Sequence, residues 1–177
     1  MLTLALAGLI GSGKDSAAEI FRKNGFFVID YAQILRGKLR TEGIELSREN
    51  LQAYRKKHGK AFLAEETSEI IRKSQSKKIL LTPMRTLDDF LIPKKEFGAR
   101  LVWIESRRET RFQRLKSRKR ENDPLAWDQF SVQDRREKEL FDFEKLKKMA
   151  DFRVENNGTR KALEREVTKM LKLLSTC

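Results

Sequence analysis

Cysteine and histidine are almost missing from this chain, which carries one of each in 177 residues, at Cys177 and His58. A single cysteine excludes an internal disulfide and favours a reducing cytoplasm as the setting of the protein. A single histidine excludes a multi-histidine metal site and disfavours histidine acid–base catalysis. Because His58 follows a run of basic residues, we expect it to be a solvated side chain at a helix end.

Long apolar runs and acidic charge are also scarce. No apolar stretch approaches the length needed to cross a bilayer, so we predict no membrane partner. Lysine and arginine number 39 against 26 acidic residues, which gives a formal charge of +13. Small anions and nucleic acid are both compatible with this charge. With 39% hydrophobic residues, the chain is expected to form one domain over residues 1–177.

The most informative segment follows the apolar run Leu2–Ala7 and has the pattern G-x-x-x-x-G-K, from Gly8 to Lys14. This phosphate-binding pattern requires a strand before it and a helix after it, and both are predicted here. Glycines let the backbone wrap around an anion, the helix directs its positive end at it, and the lysine adds a mobile charge. The predicted nucleotide-binding residues here are Gly8, Ile10, Gly11, Ser12, Gly13, Lys14, Asp15 and Ser16.

Strands and helices alternate along the rest of the chain. We predict strands over 2–7, 26–29, 78–81, 100–105 and 151–154. We predict helices over 14–23, 33–41, 47–74 with Ser47 as its N-cap, 86–97, 109–119, and after Gly158. This order indicates a three-layer α/β fold with a mainly parallel five-stranded sheet flanked by helices. Ligands of such sheets bind beyond the carboxyl ends of the strands, where the loop, Asp30, 82–85, 105–108 and 156–159 would meet.

The loop and this order of elements resemble the nucleoside-monophosphate-kinase branch of P-loop proteins. More narrowly, they resemble dephospho-CoA kinase and a related archaeal family of kinase-like P-loop ATPases. The likeness covers nearly the whole chain, and its most telling residues are 111–124, Trp127, Phe130, 134–135 and 137–140. It implies a P-loop kinase that uses ATP and Mg²⁺, with a helical acceptor-binding region over 31–75 and a helical lid over 107–124. The implied acceptor is small, anionic and phosphorylated, and is nucleotide-like or CoA-precursor-like; the protein acts as a monomer or a homodimer.

Three arginines carry the predicted lid. Arg111, Arg114 and Arg118 recur at i, i+3 and i+7, so they share one face of a helix. We interpret this face as closing on the bound triphosphate, with Arg111 on the nucleotide and the other two acting on the transferred group. The alternative is a solvated basic face, whose acidic partners would be Glu109, Glu121 and Asp123.

Further site residues come from the resemblance. Asp30 is where relatives place an acid near the acceptor or the magnesium ion, so the resemblance implies a catalytic residue that orients the attacking hydroxyl or holds a metal-bound water. Asp30 suits a helix N-cap equally well. Arg36 and Arg85 match arginines that bind the acceptor, although both could be surface arginines. The residues matching a base-contacting loop are Asn156, Asn157 and Gly158. An asparagine in such a position also suits a left-handed turn.

Three departures weaken the prediction of an ordinary kinase. Asp15 stands where serine or threonine is usual, although its carboxylate can bind Mg²⁺, so the predicted metal contacts are Asp15 and Asp30. Thr82 occupies the third-strand position where many relatives have aspartate. No second aspartate stands two residues beyond Asp30, which argues against true dephospho-CoA kinase chemistry. The acids that could compensate are Asp88 and Asp89.

The rival interpretation is a P-loop ATPase or switch that acts on nucleic acid or another macromolecule. It depends on the charge of +13 and on the basic stretches 36–40, 55–60 and 107–120. Aromatic residues do not alternate with these stretches as a base-stacking platform requires. Binding through phosphates would weaken steeply with added salt, so a binding curve that ignores salt would contradict this interpretation.

Overall fold

The computed structural model describes residues 1–59, 61–118 and 123–175, so Lys60, Cys177 and residues 119–122 of the predicted lid lie outside it. The strands are β1 Leu2–Ala7, β2 Phe27–Asp30, β3 Lys78–Met84, β4 Arg100–Glu105 and β5 Phe152–Glu155. The described helices are α1 Lys14–Lys23, α2 Tyr31–Thr41, α3 Arg48–His58, α4 Phe62–Lys73, α5 Leu87–Phe97, α6 Arg108–Arg118, α7 Trp127–Leu140, α8 Phe143–Lys148 and α9 Arg160–Ser175. Within the described ranges, no helix combines the length and apolar character that crossing a membrane demands.

The five strands form one parallel sheet in the order β2-β3-β1-β4-β5. Alternate residues of the central strand face opposite layers, as the period of a strand requires. Leu4 and Leu6 pack with α1 and α9, whereas Ala5 and Ala7 pack beneath α2 to α5 and α8. The predicted three-layer α/β fold is confirmed, and all five strands end at one edge.

One helical stretch differs from the sequence prediction, and another helix contains a proline. The stretch predicted over 47–74 is two helices, because Gly59, with a φ of 86°, ends α3. Ser47 caps α3 as predicted. α5 continues through Pro93. The Tyr31 hydroxyl donates to the Asp89 carbonyl at 3.2 Å, which replaces the hydrogen bond that a proline four residues later cannot make.

Candidate functional site

The glycine loop lies at the carboxyl end of the central strand β1, where it leads into the N-terminus of α1. Gly13 precedes α1 with a φ of 94°, a conformation that favours glycine. A Cβ atom there would lie 2.2 Å from Asn156 Nδ2, and one at Gly11 would lie 2.7 Å from the Arg111 carbonyl oxygen. The loop is therefore packed closely against α6 and against the segment after β5.

The Lys14 ammonium turns back onto its own loop. It donates to the carbonyl oxygens of Gly8 at 2.7 Å and Leu9 at 3.0 Å. Burial, together with the nearby Arg85 guanidinium, lowers the pKa of Lys14 to about 8. A bound anion favours the charged form of such a group. Lys14 is therefore suited to pair with a phosphate at the mouth of the loop.

Arg114 ties the loop to the segment after β5. Its guanidinium donates to the carbonyl oxygens of Asn156 at 2.9 Å, Gly158 at 3.1 Å and Ser12 at 3.4 Å. Asn156 Nδ2 donates to the same Ser12 carbonyl at 2.8 Å. These bonds join residues far apart in the sequence and fix the shape of the loop.

Arg111 supports the glycine loop through a hydrogen bond to one of the loop carbonyls. It is 2% exposed, and its Nη1 donates to the Ile10 carbonyl at 3.1 Å and to Asp134 Oδ1 at 2.6 Å. Burial acts to raise the pKa of Asp134, but the hydrogen bond and charge of Arg111 hold that pKa below its usual value. We call the group that holds the loop the brace; its members are Ser12, Arg111, Arg114, Asp134 and Asn156.

The three arginines do not form the open, phosphate-facing surface that their spacing suggested. They share one side of α6, but Arg111 and Arg114 on that side pack onto the loop as members of the brace. Arg118 forms a two-point ion pair with Asp123, at 2.6 and 2.7 Å, as the alternative of a paired basic face expected. Arg114 and Arg118 still line a cavity, so their contact with a triphosphate stays a prediction.

The predicted base-contacting asparagines are already bonded within the protein. Asn156 is 4% exposed, and its Oδ1 accepts a hydrogen bond from Arg114 at 3.1 Å. Asn157 Oδ1 accepts from the Arg107 N–H at 2.7 Å. Both side chains therefore have partners within the protein, and their hydrogen bonds to a purine stay a prediction. Gly158 lines the cavity beside the loop.

Asp30 is a helix cap whose side chain also lines the site. Its Oδ1 accepts hydrogen bonds from the backbone N–H groups of Ala32 at 2.8 Å and Gln33 at 3.2 Å, which caps α2. The same side chain lines the cavity beside Lys14. The two interpretations of Asp30 are compatible, because capping fixes the carboxylate where an acceptor or a metal ion could reach it.

β3 has a threonine, Thr82, at the position where many relatives have aspartate, and Asp89 does not replace the missing carboxylate. Thr82, on β3, is 6% exposed. Asp89 is fully buried, pairs with Arg55 and completes the capping box of α5 with Thr86. Its charge is therefore used to hold α3 against α5, so it does not compensate for the missing aspartate.

Two cavities open side by side at this edge of the sheet. The first, of about 700 Å³, is lined by the glycine loop, Lys14, Asp15, Ser16 and Asp30. The second, of about 590 Å³, lies against α2 and α3 and has apolar walls that include Leu35 and Leu51. The residues that line both cavities are Ile10, Ala32, Arg36, Pro83, Arg85, Arg118 and Glu137. The structure thus brings the predicted Lys14, Asp30, Arg36 and Arg85 to one site.

Two acids on α7, Asp134 and Glu137, are among the residues that carry the family resemblance, but sequence reasoning assigned neither of them a role in the site. Glu137 is 5% exposed, and its Oε1 lies 3.8 Å from Arg85 Nη1. Its charge also acts on the Lys14 ammonium. The signal was present in the sequence, because residues at i and i+3 lie on one face of a helix. Two acids at that spacing between arginines and lysines marked a face of α7 that meets the site.

The carboxylates at the larger cavity fit a magnesium ion that also binds phosphate. Mg²⁺ keeps several waters and takes one or two carboxylates beside phosphate oxygens. Asp15 and Asp30 both line this cavity. Within the described ranges, no group of three or more His, Cys, Asp or Glu side chains is placed to hold a metal alone. The residues present therefore suit a metal shared with a phosphate ligand.

The basic stretches are engaged partly within the protein. The ion pairs that they supply include Lys38–Glu66, Arg55–Asp89, Arg111–Asp134 and Arg118–Asp123. Charge that is paired internally is less available to a nucleic-acid backbone. Binding to nucleic acid stays a prediction, now with fewer cations to support it.

Relatives of the chain are found among archaea. It is 30% identical over 178 residues to the UPF0200 protein of Hyperthermus butylicus, covering 98% of this chain and 95% of that protein. It is also 30% identical to the UPF0200 protein of Thermococcus kodakarensis, covering 96% of each chain. No protein-family model matches the chain.

Solved structures with a similar fold include small-molecule kinases. A shikimate kinase from Acinetobacter baumannii has a TM-score of 0.68 at 16% identity, covering 99% of this chain and 94% of that one. Dephospho-CoA kinase from Campylobacter jejuni has a TM-score of 0.56 at 17% identity, covering 98% and 97%. At these identities the likeness confirms a P-loop kinase-like fold, and it leaves a special relation to dephospho-CoA kinase as a prediction.

Proposed function

The chain belongs to the UPF0200 protein family, and we propose that it is an ATP-dependent phosphotransferase. Its acceptor in this proposal is a small phosphorylated anion, nucleotide-like or CoA-precursor-like. The observation that carries the proposal is the position of Lys14. Its ammonium lies in a braced glycine loop, beside a cavity that also holds Asp30, Arg36 and Arg85.

Lys14 and the loop form the donor side of the site. In phosphoryl transfer, the protein mainly positions the donor and neutralises charge on the moving group. The loop N–H groups and the N-terminus of α1 hold the phosphates, and Lys14 leaves the Gly8 and Leu9 carbonyls to pair with them. Because Arg111 and Arg114 already brace the loop, its shape needs little reorganisation when a nucleotide binds.

Magnesium belongs to the donor side in this proposal. Asp15 and Asp30, which line the cavity, would hold the ion, and the chemistry it would supply is neutralisation of charge on the phosphate oxygens. Asp15 adds a negative charge where related loops carry a neutral hydroxyl. Nucleotide affinity should therefore depend more on the metal here than in a loop with serine or threonine.

Arg36 and Arg85 form the acceptor side. Arg36 is exposed and makes no hydrogen bond or ion pair with another described residue. Arg85 lies over the Phe141 ring at 4.9 Å and is 3.8 Å from Glu137. Guanidinium groups bind phosphate or carboxylate oxygens at two points, so this pair suits an anionic acceptor. The apolar wall of the second cavity leaves room for the body of that acceptor.

The first test is isothermal titration of ATP, with and without Mg²⁺, into the wild type and Lys14→Ala. We expect binding that Mg²⁺ strengthens, and a loss of about 100-fold or more in the variant because the buried cation is gone. The matched control is Lys23→Ala, which removes an exposed lysine from the same helix. Binding that ignores both Mg²⁺ and Lys14 would contradict the proposal.

A second test measures transfer of label from γ-labelled ATP to a panel of acceptors. Nucleoside monophosphates and phosphorylated CoA precursors are compared with their unphosphorylated forms. We expect a labelled product with a phosphorylated acceptor, dependent on Lys14. A labelled product formed equally well by Lys14→Ala would contradict the proposal. Stimulation of ATP hydrolysis by nucleic acid, lost with added salt, would favour the rival ATPase instead.

A further inference from the structure

Glu137 lies where the two cavities meet. It lines both of them, together with Arg36, Arg85 and Arg118, and it is 5% exposed. If ATP occupies the loop and the acceptor occupies the second cavity, the transferred group must pass this boundary. A buried carboxylate at such a point, 3.8 Å from the Arg85 guanidinium, calls for a chemical explanation, because burying charge is costly unless the charge serves the structure or a ligand.

The other carboxylates at the site are placed differently. Among the described residues, four acids line the two cavities: Asp15, Asp30, Asp123 and Glu137. Asp15 and Asp30 line only the larger cavity, and Asp123 lines only the smaller, where it pairs with Arg118. Glu137 is therefore the acid, within the described part of the chain, that faces both the donor and the acceptor.

The residues at the end of β3 also bear on the role of Glu137. Thr82 leaves β3 without a carboxylate at the junction, whereas Pro83, the next residue, lines both cavities. Glu137 lines the same two cavities from α7. We propose, on the basis of the phosphotransferase function above, that Glu137 is a catalytic residue that orients the attacking hydroxyl of the acceptor. It supplies from α7 the acid that β3 lacks.

The acceptor oxygen forms a bond to the γ-phosphorus, and the bond from that phosphorus to the bridging oxygen breaks. The electron pair leaves with the diphosphate. Glu137 accepts a hydrogen bond from the attacking hydroxyl, takes its proton as the new bond forms, and passes it to solvent. In a loose transition state the proton leaves late, so orientation by the carboxylate matters more than its strength as a base.

The test compares turnover with binding, using water as the attacking group and ATP as the donor. Phosphate release and the affinity for Mg²⁺-free ATP are measured for the wild type, Glu137→Gln and Glu137→Asp. The matched control is Glu139→Gln, which neutralises an exposed acid on the same helix. Thermal unfolding of each variant reports its folding.

We expect Glu137→Gln to lower phosphate release about 100-fold, the usual scale for a positioned acid or base. ATP should bind at least as tightly, by up to about threefold more, because a negative charge near Lys14 and Arg85 is gone. Glu137→Asp should recover part of the turnover, and Glu139→Gln should match the wild type. A purely structural role would instead lower binding and turnover together.

Two results would overturn the assignment. One is equal phosphate release by the wild type and Glu137→Gln. The other is a loss of ATP affinity in Glu137→Gln as large as its loss of turnover. If Glu137→Gln does not fold, Glu137→Asp keeps the charge and carries the same comparison. Failure of the proposed function is distinguishable, since it would appear as ATP binding that does not depend on Lys14.

Discussion

The donor and acceptor sides of the site are held in different ways. Around the glycine loop, side chains from α6 and from the segment after β5 donate to loop carbonyls, and buried Asp134 on α7 secures Arg111. On the acceptor side, Arg36 is exposed and makes no hydrogen bond or ion pair with a described residue. Among the described residues, the Arg85 side chain has a long contact to Glu137, at 3.8 Å, and lies over the Phe141 ring.

This difference indicates where binding specificity and adaptability lie. A triphosphate presents the same oxygens each time, so a loop fixed in advance binds it with little reorganisation. Exposed or loosely held arginines lose side-chain freedom when the acceptor binds, at up to about 1.5–2 kcal/mol each. They also reach toward oxygens that differ between acceptors. The donor side should therefore tolerate change poorly, and the acceptor side should tolerate it well.

The largest expected effect is that of Asp134→Asn on stability. The change leaves Arg111 charged and 2% exposed without its ion-pair partner. Breaking a buried pair by removing one member costs about 3–5 kcal/mol. Urea unfolding measures the loss, and the exposed Asp128→Asn on the same helix is the control. A loss below 1 kcal/mol would mean that the brace does not hold the loop.

Gly13→Ala should have the next largest effect. A Cβ at Gly13 meets Asn156 Nδ2 at 2.2 Å, so the buried asparagine must move. Gly43→Ala is the matched control, because its φ is 67° and no atom lies within 4 Å of an added Cβ. We expect about 1–2 kcal/mol of destabilisation at Gly43, from backbone strain alone. At Gly13 we expect about 3 kcal/mol and loss of ATP binding, because strain and displacement add. Equal losses at both positions would contradict close packing by Asn156.

The contrast between local patterns and long-range contacts explains how much of the structure could be predicted from the sequence. The β1 strand, the glycine loop and α1 form one continuous segment, and their pattern is local, so these elements were predictable, whereas phosphate binding by the loop stays a prediction. Pro93 could not be judged locally, because the Tyr31 hydroxyl that accommodates it lies 58 residues from Asp89. The three layers followed from the alternation of strands and helices.

The brace could not be predicted, because its contacts are far apart in sequence. Asn156 and Ser12 are separated by 144 positions, and Arg114 and Ser12 by 102. Helical spacing correctly put Arg111, Arg114 and Arg118 on one side of α6. It could not tell whether that side met solvent, a ligand or the protein itself. Glu137 was given no role in the site for the same reason, since its place between the two cavities depends on residues that are distant in sequence.

Arg36→Ala tests the acceptor side and should change stability very little. Its side chain is exposed and bonded to no described residue, so we expect a change within about 0.5 kcal/mol. Affinity for ATP should stay within about twofold, because the loop and Lys14 are untouched. Urea unfolding and calorimetry check both values. The effect should appear instead as a raised KM for the acceptor. A destabilisation near that of Asp134→Asn would remove the contrast between the two sides.

The smallest expected effect is a proton taken up when ATP binds. With a pKa of about 8, Lys14 is largely neutral at pH 9 in the empty protein, and bound phosphates restore its charge. Binding should therefore take up close to one proton at pH 9 and about 0.1 at pH 7 from this group. The readout is calorimetry in two buffers of different ionisation heat.

Lys14→Arg provides the control, since a guanidinium stays charged and should abolish the uptake at pH 9. The lowered pKa of Lys14 also predicts how the stability of the empty protein changes with pH. Because the pKa of Lys14 falls from 10.5 to about 8 on folding, the unfolded chain binds more protons between these values. This group therefore makes the empty protein more stable as pH rises through that window. Uptake that persists in Lys14→Arg would assign the proton to another group, and the donor side would then hold Lys14 less tightly than its contacts with Gly8 and Leu9 indicate.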